Sequence, residues 1–348
     1  MLYWVYQTPQ SGGRRVVDMN EELKLTKQLE KKKQSEKKKQ VNKVITGVLL
    51  YELITVVCVM LDALIQMIRV AVLYRNSPDM EQQVEAVLED CINSGRGMIL
   101  SIAAGLFFLF IYFRKQEYSK KIFNQSRSMK RAEFFPILTV FMALQVFFLV
   151  VGNGAESILN RFGFSLMEEI ESATSASTVF SMFLYVSFIA PIAEELVFRG
   201  FVMRGLERFG KITAISGSAL LFGAIHGNLI QGVFAAMAGL VLGYVAMEYS
   251  ILWSIVIHII NNFIFGDLWA YVTGGLNETL QDILFYGVYG CFFVAAGIEL
   301  YLKRNEIKEY WRKNKNKNGH WKIIVTSFWF ILFMILQLAV GISGIHKI

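Results

Sequence analysis

The sequence predicts an all-α protein, a polytopic bundle in which about nine helices cross a membrane. Of its 348 residues, 54% are hydrophobic and 18% are charged, whereas soluble domains average about 45–50% and 25%. Several apolar runs reach the roughly 20 residues that a helix needs to cross a hydrocarbon core of about 30 Å. A soluble globular domain is therefore not expected, and eight to nine spanning helices are.

Hydropathy and flanking charge place the helices in order along the chain. The candidate spans are 44–74, 97–113, 136–152, 175–206, 213–229, 232–248, 251–270, 283–302 and 323–345. Glu52, Asp62 and Arg69 interrupt the first run, which is therefore either a span followed by an interfacial helix or one tilted helix. The resulting regions are a basic N-terminal segment (1–43), peripheral helices (44–152), a helical core (175–302), and a basic loop with a last span (303–348).

The charge of the connecting segments predicts their sides of the membrane. Basic segments lie at 14–43, 114–131, 204–211 and 303–322, and acidic or neutral ones at 76–95, 153–174 and 271–282. Since cytoplasmic loops carry an excess of Lys and Arg, the basic segments and the N-terminus are expected in the cytoplasm. We interpret the Lys-rich N-terminal segment as a contact with anionic membrane lipids and not as a nucleic-acid site.

Ionisable residues inside apolar spans are costly and mark candidate functional sites. The fourth span contains Glu194, Glu195 and Arg199. Glu195 and Arg199 are four residues apart and can pair on one helix face, whereas Glu194 points about 100° away and stays free to act as a general base. An ion pair that holds two helices together is the alternative. Pro191 should kink or restart this helix.

Two further spans carry the other polar candidates. Phe222 shares a helix face with His226 in the fifth span, and His258 shares one with Asn262 in the seventh. Either pair alone is equally typical of hydrogen bonding between helices. Together with Glu194, however, these side chains include the groups that activate water and stabilise an oxyanion. Their estimated depths allow them to meet near mid-membrane, in a site reached from the cytoplasmic side.

Three motifs resemble those of one known family. EELVFR at 194–199, FGAIH at 222–226 and HIINN at 258–262 look like the EExxxR, FxxxH and HxxxN motifs of the CAAX protease and bacteriocin-processing family, also called CPBP or Abi. The motifs occur in the family's order, each in its own apolar helix. The resemblance implies a multi-pass intramembrane endopeptidase of the cell membrane.

The resemblance also implies roles for individual residues. Glu194 and His226 would activate water, and His258 and Asn262 would stabilise the oxyanion. The supporting residues would be Glu195, Arg199 and Phe222. We favour a mechanism without a metal or other cofactor, because a glutamate that acts as base is a poor zinc ligand. A zinc-dependent enzyme would bind the metal through Glu194, His226 and His258.

Several alternatives remain at the level of the sequence. The expected partner is a peptide or membrane-tethered protein substrate, either a prenylated CAAX protein or a leader or bacteriocin-like peptide, and we prefer peptide processing. A non-catalytic membrane scaffold or bacteriocin-immunity protein would use the same polar cluster structurally. A proton-coupled transporter is a weaker alternative, since we find no internal repeats. Ala235, Gly239 and Gly243 form a small-residue ladder that predicts close helix packing.

Overall fold

Helices make up nearly all of the described chain, because most of its segments are apolar and long. The computed structural model describes residues 5–6, 15–16, 19–174, 177, 179–315 and 320–348. Parts of the predicted N-terminal segment, core and basic loop lie outside this range, at 1–4, 7–14, 17–18, 175–176, 178 and 316–319.

The helices are, in chain order, α1 (Met19–Leu73), α2 (Met80–Asn93), α3 (Arg96–Phe113), α4 (Arg131–Asn160), α5 (Met167–Thr174), α6 (Phe180–Leu184), α7 (Ala190–Glu194), α8 (Arg204–Leu206), α9 (Lys211–Ala224), α10 (Leu229–Glu248), α11 (Ile251–Ile259), α12 (Trp269–Thr273), α13 (Glu278–Leu302), α14 (Arg304–Asn314), α15 (His320–Val325) and α16 (Phe328–Ser343). Two short antiparallel strand pairs accompany them, β1 (Val5–Tyr6) with β2 (Arg15–Val16), and β3 (Phe164–Ser165) with β4 (His346–Lys347).

Seven helices in the described residues are long and apolar enough to cross a membrane, by length and composition. They are Glu22–Leu73, Arg96–Phe113, Arg131–Asn160, Phe180–Phe209, Leu229–Glu248, Ile251–Thr273 and Glu278–Leu302. The predicted fifth and ninth spans are the shorter apolar helices α9 and α16, with 14 and 16 residues. At 1.5 Å per residue, α9 is only about 21 Å long. The all-α polytopic prediction is confirmed, and the exact number of spans stays a prediction.

The first span is one continuous helix with the basic segment that precedes it. α1 runs for 55 residues without a break through Glu52, Asp62 and Arg69. Of the two interpretations of 44–74, the structure has the single helix. Its apolar part buries Val44, Ile45 and Val48 against the rest of the bundle.

The predicted basic segments meet at one end of the bundle. The Lys37 amine lies 2.6 Å from the His320 ring, which joins the N-terminal segment to the last basic loop. Lys211 and Tyr310 both contact the Glu248 carboxylate, at 2.7 and 2.8 Å. The segments that we predicted to share one side of the membrane therefore lie at the same end of the bundle. The compartment that this end faces stays a prediction.

Two of the predicted acidic and neutral segments contact the ends of predicted spans away from the basic end. Ser181 donates a hydrogen bond to the carbonyl of Ser94. Asn228, just before α10, donates to the carbonyl of Glu169 on α5 at 2.8 Å. α9 and α10 therefore form a hairpin that starts and ends at the basic end and turns near the opposite end.

Small residues allow the two helices of this hairpin to approach closely. A Cβ atom at Gly239 would lie 3.0 Å from the Ala219 backbone, and one at Gly243 would lie 3.1 Å from Ile215. Both glycines belong to the predicted small-residue ladder on α10. The ladder is thus an α9–α10 contact, as its spacing predicted.

Candidate active site

Three π-helical segments surround the predicted site. They are Tyr185–Ile189, Glu195–Met203 and Ile260–Leu268. A π segment bonds residue i to i+5, so it shifts the register of every side chain that follows and is frequent at functional sites. The first two lie in the continuous Phe180–Phe209 helix, and the third lies between α11 and α12.

Pro191 explains why one backbone carbonyl near the site is available. The N–H of Ala190 bonds to the Tyr185 carbonyl, so the next N–H in this register would bond to Val186. The next residue is Pro191, which has no N–H. The Val186 carbonyl instead accepts a hydrogen bond from Nδ2 of Asn262, at 3.0 Å. The predicted interruption at Pro191 is therefore a change of hydrogen-bond register within a continuing helix.

Glu195 and Arg199 form the predicted pair. Arg199 Nη1 lies 3.1 Å from Glu195 Oε1, and both side chains are fully buried. The guanidinium also lies over the Phe222 ring, 4.3 Å from its centroid. The opposite charge of Glu195 and the face of the Phe222 ring compensate part of the loss of water around Arg199, whose three guanidinium nitrogens are buried without a hydrogen-bond partner among the described residues.

Glu195 also holds the helix that carries His258. Its Oε1 accepts a hydrogen bond from His258 Nδ1 at 3.0 Å, and its Oε2 accepts one from the hydroxyl of Ser254. The sequence reasoning missed Ser254. It lies four residues before His258 and on the same helix face, so helical spacing is the signal that could have found it.

Glu194 lies on the other side of the His258 ring. Glu194 Oε2 is 3.6 Å from His258 Nε2, and its side chain is 27% exposed. The His258 ring therefore lies between two carboxylates, with Nδ1 toward Glu195 and Nε2 toward Glu194.

His226 lies in the turn between α9 and α10. The predicted helix 213–229 ends earlier, since α9 stops at Ala224 and Gly227 adopts a left-handed φ of +61°, which favours glycine. His226 Nδ1 lies 2.8 Å from the Phe222 carbonyl. Because a carbonyl only accepts hydrogen bonds, Nδ1 carries the proton. Nε2 of the neutral ring can then accept a hydrogen bond from another group.

Asn262 belongs to a chain of side-chain amides. Gln145 Nε2 donates to Asn261 Oδ1 at 2.8 Å, and Asn261 Nδ2 donates to Asn262 Oδ1 at 3.0 Å. Gln145 was not predicted, because it lies on α4, a helix that we placed at the periphery and that carries no recognised motif.

The predicted site residues meet at one partly open cavity of about 770 Å³. Glu194, Phe222, His226, His258 and Asn262 all line it, and Glu195 and Arg199 are buried. The supposedly peripheral helices α1, α3 and α4 also contribute to its wall. The structure therefore brings together all the residues that the three motifs single out.

The arrangement does not form a ready metal site. In the described part of the chain, no group of three or more His, Cys, Asp or Glu side chains could hold a metal ion. His258 and Glu194 are close to one another, whereas the His226 ring is hydrogen-bonded to the Phe222 carbonyl. Cys58, Cys91 and Cys291 are free thiols.

These observations define a helical membrane protein with a carboxylate, two imidazoles and an amide at a partly open cavity. Comparison with protein families is consistent with that class: residues 176–264 match the model of the type II CAAX prenyl endopeptidase Rce1-like family. The match contains all three motifs and confirms the resemblance over this part of the chain, which points to a protease. Neither the comparison with curated proteins nor that with solved structures gave a match.

Proposed function

We propose that this protein is an intramembrane endopeptidase that hydrolyses a peptide bond of a membrane-associated peptide or protein. The observation that carries the proposal is the convergence of Glu194, His226, His258 and Asn262 on one cavity inside the helical bundle. Geometry of this kind is what hydrolysis needs: a base, a second group that orients water, and donors for an oxyanion. The family match over 176–264 also supports it.

Glu194 acts as the general base in this proposal. Its carboxylate takes a proton from a water molecule while the water oxygen attacks the carbonyl carbon of the substrate. His226 Nε2, the ring nitrogen that does not bond to Phe222, accepts the second hydrogen bond of that water and orients it. The partial exposure of Glu194 to the cavity makes it the carboxylate of the pair that water can reach.

His258 and Asn262 hold the oxyanion. The mechanism uses both ring nitrogens of His258 as donors: Nδ1–H bonds to Glu195 Oε1, and Nε2–H donates to the new oxyanion. Asn262 uses one N–H for the Val186 carbonyl and keeps the other for the oxyanion. When the tetrahedral intermediate collapses, the C–N bond breaks and Glu194 returns its proton to the leaving amine.

The mechanism proceeds without a metal, since Glu194 is used as the base and His226 as a hydrogen-bond acceptor. The zinc-dependent alternative would bring Glu194, His226 and His258 onto one ion and needs movement of the His226 turn. We propose the cytoplasmic side of the cell membrane as the route of entry, with membrane lipids around the basic end. Prenylated CAAX proteins and leader or bacteriocin-like peptides are the two substrate classes to compare.

The test is cleavage of membrane-tethered peptides by purified protein in liposomes, with a panel from both substrate classes. We expect Glu194→Gln and His226→Ala to lower kcat at least 100-fold. The matched controls are Glu207→Gln, at the end of the same long helix, and His346→Ala, near the C-terminus, and both should cleave as the wild type does. All variants are first compared by thermal unfolding.

The outcomes distinguish the alternatives. Loss of cleavage only with a chelator present would replace the proposed mechanism with a metal-dependent one. Full function of Glu194→Gln would contradict the enzyme and favour the scaffold or immunity protein, since a buried amide can still hydrogen-bond. Proton-driven uptake into the liposomes that Glu194→Gln abolishes would favour the transporter.

A further inference from the structure

The amide chain at the cavity has a fixed direction. It runs from Gln145 through Asn261 and Asn262 to the Val186 carbonyl, and each step joins an N–H to an oxygen, at 2.8, 3.0 and 3.0 Å. Each amide can in principle be turned over, which exchanges its N–H donors for an oxygen acceptor. The last acceptor is a backbone carbonyl, which cannot be exchanged in this way.

The fixed carbonyl determines the orientation of Asn262. If the Asn262 amide turned over, its oxygen would face the Val186 oxygen and its N–H would face the donor of Asn261. Both hydrogen bonds would be replaced by repulsive contacts. Gln145 supports the same direction from the other end of the chain, because its N–H occupies the Asn261 oxygen and would face a second donor if the Asn261 amide turned over.

This orientation bears on the oxyanion. In the observed orientation the Asn262 nitrogen, with one N–H not used in the chain, is the group available to a substrate. In the reverse orientation an oxygen would lie there and would repel a developing negative charge. The direction of the chain therefore decides whether Asn262 helps or hinders the reaction.

We propose that Gln145 is a positioning residue for this reaction, which acts through Asn261 to keep the Asn262 amide turned toward the oxyanion. The inference rests on the proposed function, in which Asn262 donates to the oxyanion. Gln145 lies on α4, outside the matched range 176–264, so the inference extends the reaction machinery to a helix that carries no family motif.

The proposal predicts an order among substitutions at this position. Gln145→Met keeps the length of the side chain but removes the donor, so kcat should fall about tenfold while KM changes less than twofold. This is less than the roughly 100-fold or larger loss on removal of a direct oxyanion donor. Gln145→Glu points a carboxylate at the Asn261 oxygen, which favours the reversed orientation of the Asn261 and Asn262 amides. The kcat of Gln145→Glu should therefore fall further than that of Gln145→Met.

A double-mutant cycle separates positioning from simple structural support. In an Asn262→Ala background there is no amide left to orient, so Gln145→Met should change kcat by less than twofold. The cleavage rates use the most rapidly cleaved peptide of the panel, and thermal unfolding of every variant checks folding. Gln82→Met, at an exposed position on α2 that does not line the cavity, is the matched Gln-to-Met control and should behave as the wild type does.

Three results would overturn the inference. Gln145→Met with wild-type kcat, or an equal effect of Gln145→Met in the wild-type and Asn262→Ala backgrounds, contradicts the positioning role while cleavage by the wild type leaves the proposed function intact. A wild-type protein that cleaves no peptide of the panel overturns the proposed function and this inference together.

Discussion

Glu195 is the residue on which the buried polar network depends. Its carboxylate forms an ion pair with Arg199 and accepts hydrogen bonds from His258 and the Ser254 hydroxyl. Its side chain is fully buried. The net benefit of a buried ion pair is small, but the loss of one partner is costly because the other charge stays unpaired. Removal of both charges should therefore cost less stability than removal of one, and a comparison of the two variants shows how much of the loss comes from the unpaired charge.

We expect Arg199→Ala to lower the free energy of unfolding by about 3–5 kcal/mol. The double variant Glu195→Gln/Arg199→Met removes both charges and keeps a hydrogen-bonding group for Ser254 and His258, so it should lose less than Arg199→Ala alone. Denaturant titration in detergent measures both values. Arg208→Ala, an exposed residue near the end of the same helix, should change the unfolding free energy by less than about 0.5 kcal/mol. A double variant less stable than Arg199→Ala would contradict the argument.

The sequence predicts these residues well because the chemistry of each is local. Glu195 and Arg199 lie one helical turn apart, and so do Phe222 and His226, whose rings are 5.0 Å apart. Spacing of one turn along the chain is enough to predict such contacts. Gln145 was missed because its partner Asn261 lies on another helix, and spacing along one helix says nothing about which helices meet. Ser254 shares a helix face with His258, so its spacing did carry a signal.

At the scale of the elements, the π segments explain what a regular helix pattern could not predict. The segments Glu195–Met203 and Ile260–Leu268 contain site residues, and the segment Tyr185–Ile189 ends directly before α7, whose last residue is Glu194. From the position of Pro191 in the sequence we predicted that the helix is kinked or restarted there. The consequence is instead a carbonyl that is free to bind Asn262.

Pro191→Ala tests this effect of the missing N–H. The new N–H of residue 191 would compete with Asn262 for the Val186 carbonyl. We expect kcat for peptide cleavage to fall about tenfold, with the unfolding free energy within about 1 kcal/mol of the wild type. Pro136→Ala, in the first part of α4, is the matched control and should keep full activity. An unchanged kcat in Pro191→Ala would show that the carbonyl is not needed.

Helix ends were the weakest part of the element predictions. The predicted helix 213–229 ends at Ala224, because the glycine after His226 takes a left-handed conformation that stops the helix. His226 consequently lies in a turn, and the next helix, α10, begins just after it, where the Asn228 side chain accepts a hydrogen bond from the Gln231 N–H. Hydropathy could not show this end, since the apolar character continues across it.

At the scale of the whole molecule, the charge pattern agrees with the contacts at one end of the bundle. Two of the predicted basic segments contact one another there, through Lys37 and His320 at 2.6 Å. Which compartment this end faces depends on the positive-inside rule alone. Long-range helix contacts, by contrast, left no pattern in the sequence, so the entry of α1 and α4 into the cavity wall was not foreseen.

The orientation can be tested with single cysteines. In a cysteine-free background, Glu85→Cys on α2 and Lys308→Cys on α14 place thiols at the two ends, and both positions are exposed. A membrane-impermeant maleimide added to intact cells should label the α2 thiol, and the α14 thiol should react only after the cells are opened. Labelling of the α14 thiol in intact cells would reverse the predicted orientation.

The pairing of Glu195 with Arg199 inside a single helix also bears on biogenesis. Helices enter the bilayer as they are synthesised, and the Phe180–Phe209 helix precedes the Ile251–Thr273 helix that carries His258. Its charges therefore meet lipid before their later partners exist, when an unpaired charge is most costly. The intrahelical pair can form at once, so the nascent helix already carries its own counter-ion at the moment of insertion.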